Sequence, residues 1–316
     1  MPSNVPNRFP FAHTFSIVAR DPEDGKMGVA VQSHWFSVGS VVAWGEPGVG
    51  VVATQSMVEK SYGPRGLALM REGVPVKAAL SALLQTDDNP EVRQVAMLDH
   101  TGAVAVHTGS RCIAYAGHES GTGFSVQANM MHNDRVWPAM AEAYRSTHGP
   151  LAERLMAALE GAQAAGGDIR GQQSASMLVI RGEAGKQPWE GILVDLRVED
   201  HPHPLQELRR LLTVHRAYDW MNEGDAFLAD GKVEQALSAY RSAAELAPDF
   251  DELPFWHALT LAELDRMEEA APIFQAVFRA NPDWAELVKR LPAAGLLKDD
   301  PVLLKRILAL MDNLKA

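Results

Sequence analysis

Two short β-type runs, Thr14-Phe15-Ser16-Ile17-Val18-Ala19 and Gly28-Val29-Ala30-Val31-Gln32-Ser33, stand on either side of Asp21-Pro22-Glu23-Asp24-Gly25. Proline presets φ for a turn and glycine supplies a positive φ, so the two runs predict an antiparallel hairpin. A chain that opens this way departs from the strict strand–helix alternation of a doubly wound parallel sheet.

The segments that follow extend the pattern. Residues 38–42 and 49–53 flank the turn Gly45-Glu46-Pro47-Gly48, and both are apolar enough for strands buried on two faces. A helix starts at Tyr62 and stops at Gly73; Val74-Pro75 opens a second, through Ala79, Leu80, Leu83 and Leu84. Residues 93–99 and 103–107 flank His100-Thr101-Gly102 as another hairpin, and residues 124–127 form a further strand. Helical patterns cover 136–144 and 151–159, and 176–180 and 192–196 close the series as strands. The order of β-run, helix pair, β-run, helix pair, β-run suits two antiparallel sheets with helices outside them. The fold class expected is α+β.

Charge excludes one class of partner. The net charge is −11, and residues 1–200 and 201–316 are each net acidic, so neither offers a basic face to a phosphate backbone. No window approaches the ~20 apolar residues of a membrane helix. Residues 1–13 hold three prolines and no apolar run fit for a signal peptide. Cys112 is the single cysteine, which rules out an internal disulfide and a thiolate zinc cluster. A cytoplasmic protein is expected.

After His201-Pro202-His203-Pro204 the sequence repeats. Each proline disfavours helix at the preceding residue, so 199–208 is expected as a linker between a domain at 14–198 and a second at 209–316. Blocks 217–250 and 251–284 share the tetratricopeptide period. Trp220, Gly224, Phe227, Ala236, Tyr240, Ala243 and Pro248 mark the first, and Ala258, Leu261, Ala270, Phe274, Val277 and Pro282 follow in step in the second. Small residues at 224, 236, 258 and 270 allow close helix approach, and a helix at 301–314 is expected to cap the array or dock it on the first domain.

Polar residues interrupt the apolar N-terminal region at strand ends: Thr14, Thr54-Gln55-Ser56, Gln127-Ala128-Asn129 and the glycine-rich stretch 166–174. Strand ends on one edge of a layered fold converge, so these groups are candidates for one pocket. Each also has a structural alternative, as an edge-strand threonine, a satisfied hydrogen-bond knot or a helix-to-strand loop. The glycine-rich stretch is no phosphate loop, since no Gly-Lys-Ser or Gly-Lys-Thr follows it. The dispersed histidines have no metal-ligand spacing, and neither metal nor cofactor is expected.

The runs at 14–19, 28–31 and 38–42, together with Ala-Thr-Gln at 53, Tyr-Gly-Pro at 62, Arg-Gln-Val at 93, Thr-Gly at 108, Val-Gln-Ala-Asn at 126 and Gly-Gly-Asp-Ile-Arg-Gly-Gln-Gln-Ser-Ala at 166, resemble the bacterial domain-of-unknown-function family ten twenty-eight over about residues 14–198. That resemblance implies a four-layer αββα sandwich like that of N-terminal-nucleophile hydrolases. Some relatives carry a C-terminal extension labelled peptidoglycan-binding, which here coincides with the repeats.

In such hydrolases the first residue's hydroxyl attacks an amide and its own α-amine takes the proton. An amine pKa of about 7.7 to 8 suits that task. The resemblance therefore implies cleavage between His13 and Thr14. The catalytic candidates are Thr14, Ser33 and Thr54; His34, Gln55, Arg93, Gln127, Asn129, Asp168, Arg170 and Gln173 are candidates for binding substrate, with Arg170 orienting an acidic one. The proteasome-like branch places a lysine near the nucleophile, but none lies between Lys26 and Lys60. His34, Arg93 and Arg170 are the alternative polarising charges. The expected partner is a small-molecule amide, or a ligand held without turnover, with a peptide, protein or peptidoglycan fragment on the repeats. A homo-oligomer through the sheet-covering helices is also expected.

Overall fold

The computed structural model describes residues 11, 12 and 14–312, and it divides into two compact units, 1–210 and 211–316. In chain order the first unit contains β1 (Phe11–Ala12), β2 (Thr14–Arg20), β3 (Met27–Ser33), α1 (Gly39–Val42), β4 (Ala43–Glu46), β5 (Gly50–Met57), α2 (Tyr62–Arg71) and α3 (Val76–Gln85). It continues with β6 (Arg93–Asp99), β7 (Val104–Thr108), β8 (Gly117–Gly121), β9 (Phe124–Ala128), α4 (Val136–Ser146), α5 (Leu151–Ala164), β10 (Ser174–Ile180) and β11 (Ile192–Val198).

Both sheets are antiparallel. One has the order β1-β5-β6-β7, with β4 also on β5; the other runs β11-β10-β3-β2-β9-β8. The expected antiparallel hairpin forms, with Thr14 opposite Ser33 and Arg20 opposite Met27. Gly25 takes a φ of 74°, the value its turn requires.

Strand alternation sorts side chains onto opposite faces. Val29 and Val31 of the six-stranded sheet pack with Val51, Ala53, Ala96 and Leu98 of the other, so an apolar core lies between the sheets. On the outer face of the five-stranded sheet, Val52, Val95 and Met97 meet Leu67 and Met70 of α2 and Leu80 and Leu83 of α3. Each such fully buried side chain contributes about 1.5–3 kcal/mol. α5 packs on β2 and β3, where a Cβ at Gly28 would stand 2.6 Å from the Leu155 side chain. Glycine is thus the residue that lets helix and sheet meet there.

Several expectations need correction. Residues 38–42, expected as a strand, form the helical turn α1, and β4 follows it. Valines are buried in either conformation, so periodicity could not decide; a Cβ at Gly39 would lie 2.6 Å from the Ser176 side chain. β8 went unpredicted because Gly-His-Glu-Ser-Gly lacks the apolar alternation of a half-buried strand. α6 (Pro204–Ala229) starts inside the segment expected as linker, with Pro204 at its first position, where the missing N–H costs nothing. Of residues 1–13, Phe11 and Ala12 pair with Met57 and Ser56 of β5. The rest, His13 and the expected cleavage bond included, lie outside the described residues.

In the second unit α7 (Val233–Leu246), α8 (Glu252–Glu263) and α9 (Met267–Ala280) continue the helical series, and α7 and α9 start 34 residues apart. A Cβ at Gly224 would sit 2.5 Å from the Tyr240 ring, which explains the small residue there. Trp220, one of the residues that mark the first block, is 38% exposed. α10 (Asp283–Val288) follows, and α11 (Pro301–Asp312) places Leu303 and Ile307 in the repeat core, as a cap would. Residues 313 and 314, expected at the end of that helix, lie outside the described residues.

Candidate functional site

Thr14 opens β2, one of the two central strands of its sheet, and neighbouring strand ends surround it. Ser33 ends β3 directly opposite Thr14, and Ser174 begins β10 directly opposite Ser33. Partners across a ladder share a face, so the three hydroxyl residues form one row. The face is fixed by Ser16, two residues on, whose hydroxyl donates across the inter-sheet space to Gln55 Oε1 at 2.6 Å. Thr14, Ser33 and Ser174 are all fully buried.

Amide groups fix the Thr14 backbone. Its carbonyl oxygen accepts the Asn129 N–H at 3.1 Å, Gln55 Nε2 at 3.3 Å and Asn129 Nδ2 at 3.4 Å. Gln94 aligns both donors, its Oε1 accepting from Gln55 Nε2 at 2.7 Å and from Asn129 Nδ2 at 2.9 Å. Gln94 Nε2 in turn donates to the carbonyls of Ala128 and Gly117 and to Thr108 Oγ1. Gln127 Nε2 donates to Ser16 Oγ at 2.6 Å and completes the buried network. Such a network, closed at its core, locks its members' rotamers.

Thr108 Oγ1 also meets His118 Nδ1 at 2.9 Å. Partial desolvation, with the charge of His107, lowers the His118 pKa. Backbone strain flanks the two amides that hold Thr14: Ser56 has φ 73° and Met130 φ 60°. Non-glycine residues held there cost about 1–3 kcal/mol and cluster at functional sites.

The remaining candidates separate from this row. Thr54 points to the helix side of its sheet, since Gln55 beside it points inward; its hydroxyl donates to the Glu59 carbonyl at 3.1 Å. Arg93 alternates with Gln94 in the same way. Its guanidinium is buried against Asp87 at 2.8 Å and donates to the Met57 carbonyl. Burial disfavours the charged Asp87, but hydrogen bonds from Arg93 and the Asn89 amide outweigh it and hold the carboxyl below its usual range. The Thr54 and Arg93 side chains both lie on the face opposite the inward-pointing Gln55 and Gln94.

The glycine-rich loop stands at the same sheet end, with the Gln173 N–H donating to the Ser33 carbonyl at 3.0 Å. Its guanidinium is engaged, however: Arg170 Nε and Nη2 fork onto the buried Asp168 carboxylate at 3.0 and 2.7 Å. The same carboxylate accepts the His34 N–H at 3.3 Å, and the exposed His34 ring lies 3.2 Å from the Gln172 carbonyl. Gln173 bonds Asp200. These contacts pin the loop, so Arg170 does not stand free to receive an acidic substrate. Among the described residues no cluster of three or more His, Cys, Asp or Glu is placed to hold a metal.

Ser174 falls at the end of the glycine-rich stretch, whereas Ser16, Gln94 and Ser125 of the network are not among the residues the sequence reading offers for the pocket. The available signal was alternation: Thr14 and Ser16, and Ser125, Gln127 and Asn129, place polar groups on one face of otherwise apolar strands.

Residues 14–208 match the family of unknown function DUF1028, and residues 227–294 match the tetratricopeptide repeat. The crystal structure of the protein SPO2555 from Silicibacter pomeroyi, a DUF1028 protein, is similar at 32% identity and a TM-score of 0.58. The likeness covers 64% of this chain and 85% of that one. Among curated proteins, none matches. No helix among the described residues is long and apolar enough to cross a membrane.

Proposed function

This chain belongs to the DUF1028 family of unknown function, and from the hydroxyl row at the start of β2 we propose that it is an amide hydrolase of the N-terminal-nucleophile type, built on a four-layer αββα sandwich. The observation that carries the reading is Thr14, first in a central strand, beside Ser33 and with its carbonyl gripped by Asn129 and Gln55.

Cleavage before Thr14 frees its α-amine and cuts the connection to β1, which pairs with β5 in the intact chain. The amine then takes the Thr14 hydroxyl proton as Oγ1 attacks the substrate carbonyl carbon. Asn129 Nδ2 gives up its long 3.4 Å contact with the Thr14 carbonyl to donate to the developing oxyanion, and such a donor is worth about 2.7–4 kcal/mol. Collapse breaks the C–N bond, the amine returns the proton to the leaving nitrogen, and water hydrolyses the resulting ester. Thr54 and Arg93, on the other face of their sheet, take no part.

A panel of small amides incubated with wild type and Thr14→Ala tests this. Turnover lost in the variant supports the reading, and turnover that survives it refutes Thr14 as nucleophile.

A second reading, recruitment of a peptide by the repeats, is favoured by a cavity of about 640 Å³ in the helical unit, lined by Met221, Asp225, Tyr240, Trp256, Glu263 and Lys298. Titrating a peptide library against tryptophan fluorescence tests it. Binding lost in Trp256→Ala supports the reading, and a library with no binder contradicts it.

A further inference from the structure

β11 is the outer strand of the six-stranded sheet: β10 pairs with one side of it, and no strand among the described residues pairs with the other. Its register on β10 slips at Leu193, which is skipped between the Val179–Val194 and Ile180–Ile192 pairs. The regular stretch is therefore residues 194–198, five positions centred on Leu196. Val194, Leu196 and Val198 occupy one face. Asp195 and Arg197 occupy the other, 3.1 Å apart, with side chains 43% and 44% exposed.

Edge strands are commonly guarded against self-association by charge. A guard of one sign repels its own copy. Here opposite signs flank the centre, and that arrangement is self-complementary. We propose that β11 pairs antiparallel with β11 of a second copy of this chain, about a two-fold axis through Leu196. In this register Asp195 faces Arg197 of the second copy and Arg197 faces its Asp195, while Val194 faces Val198 and Leu196 faces Leu196. Directly opposite partners of opposite charge are favourable and like charges unfavourable. The interface is isologous, as a closed dimer requires, and it joins two six-stranded sheets into one. Trp189 and Ile192, 70% and 48% exposed, extend the apolar surface at the strand's beginning.

The test is the solution mass of the full-length chain by light scattering after size exclusion. Wild type should run at twice the mass of one chain, which is 34.4 kDa when intact and smaller by residues 1–13 once cleaved before Thr14. Asp195→Arg and Arg197→Asp each set like charges opposite one another at two symmetric places and should shift the mass to that of one chain. The double variant restores opposite signs and should restore the dimer. Both positions are exposed, and an unchanged circular dichroism spectrum verifies that each variant is folded. Leu196→Cys supplies an independent measurement. Opposed Cα atoms in an antiparallel pair lie about 4.5–5.5 Å apart, within disulfide reach. Oxidation should therefore link two copies, whereas wild type, with Cys112 alone, should give none. A monomeric wild type, single variants that stay dimeric, a double variant that stays monomeric, or no cross-link through residue 196 would each overturn the proposal.

Discussion

Replacing Gln94 by leucine removes the amide that aligns both donors to the Thr14 carbonyl while keeping nearly the same volume. Five hydrogen bonds end: three given by Nε2, to Thr108, Gly117 and Ala128, and two received by Oε1, from Gln55 and Asn129. The damage is uneven. Gln55 Nε2 keeps the Thr14 and Gln127 carbonyls as acceptors, so it stays satisfied. The Gly117 and Ala128 carbonyls lose this donor, and Asn129 Nδ2 loses its 2.9 Å acceptor. A stranded buried group costs about 1–3 kcal/mol, and a satisfied bond nets about 1. The expected loss is about 4 kcal/mol, confined to the first unit. Hydrogen–deuterium exchange measures it locally: protection over residues 93–99 and 124–128 should fall by that amount, while residues 233–280 serve as an internal control. A loss under about 1 kcal/mol, or one shared equally by the helical unit, would refute the view that this network holds the Thr14 strand end.

Three other perturbations follow from the same structure. Burial, then the charge of Arg241, lowers the His257 pKa to about 4 from an ordinary value near 6.5. Below pH 6.5 the unfolded chain takes up a proton that the fold refuses, so stability should fall by up to about 3 kcal/mol between pH 6.5 and 4. Melting curves of His257→Leu should lack that fall. Gly224→Val drives a Cβ into the Tyr240 ring, and overpacking of about 1–3 kcal/mol should lower protection in the repeats alone. Arg93→Met leaves Asp87 charged, buried and without its ion pair, which should cost about 3–5 kcal/mol by denaturant titration at pH 7. Acidification that protonates Asp87 should recover part of the loss.

Turn chemistry and repeat period carried far in the sequence. Asp21-Pro22 with Gly25 announced the opening hairpin, and the 34-residue step from Val233 to Met267 announced the helical pairs, because in both cases local rules decide the geometry. Where burial is the same for helix and strand, as at Val41 and Val42, the pattern was silent. The site residues show a different limit. Thr54 and Gln55 are neighbours on a strand and cannot face one pocket together, and the same holds for Arg93 and Gln94; choosing the inward member needed the opposing sheet. Arg170 looked available because nothing in its local sequence says that Asp168, two residues away, folds under it.

The central claim is that Thr14 becomes the nucleophile once its amine is free, and the intact mass of the purified protein tests it most directly. The account predicts the mass of residues 14–316. A preparation that turns over amides at the mass of the full-length chain would contradict it, because Thr14 would then have no free amine to act as base.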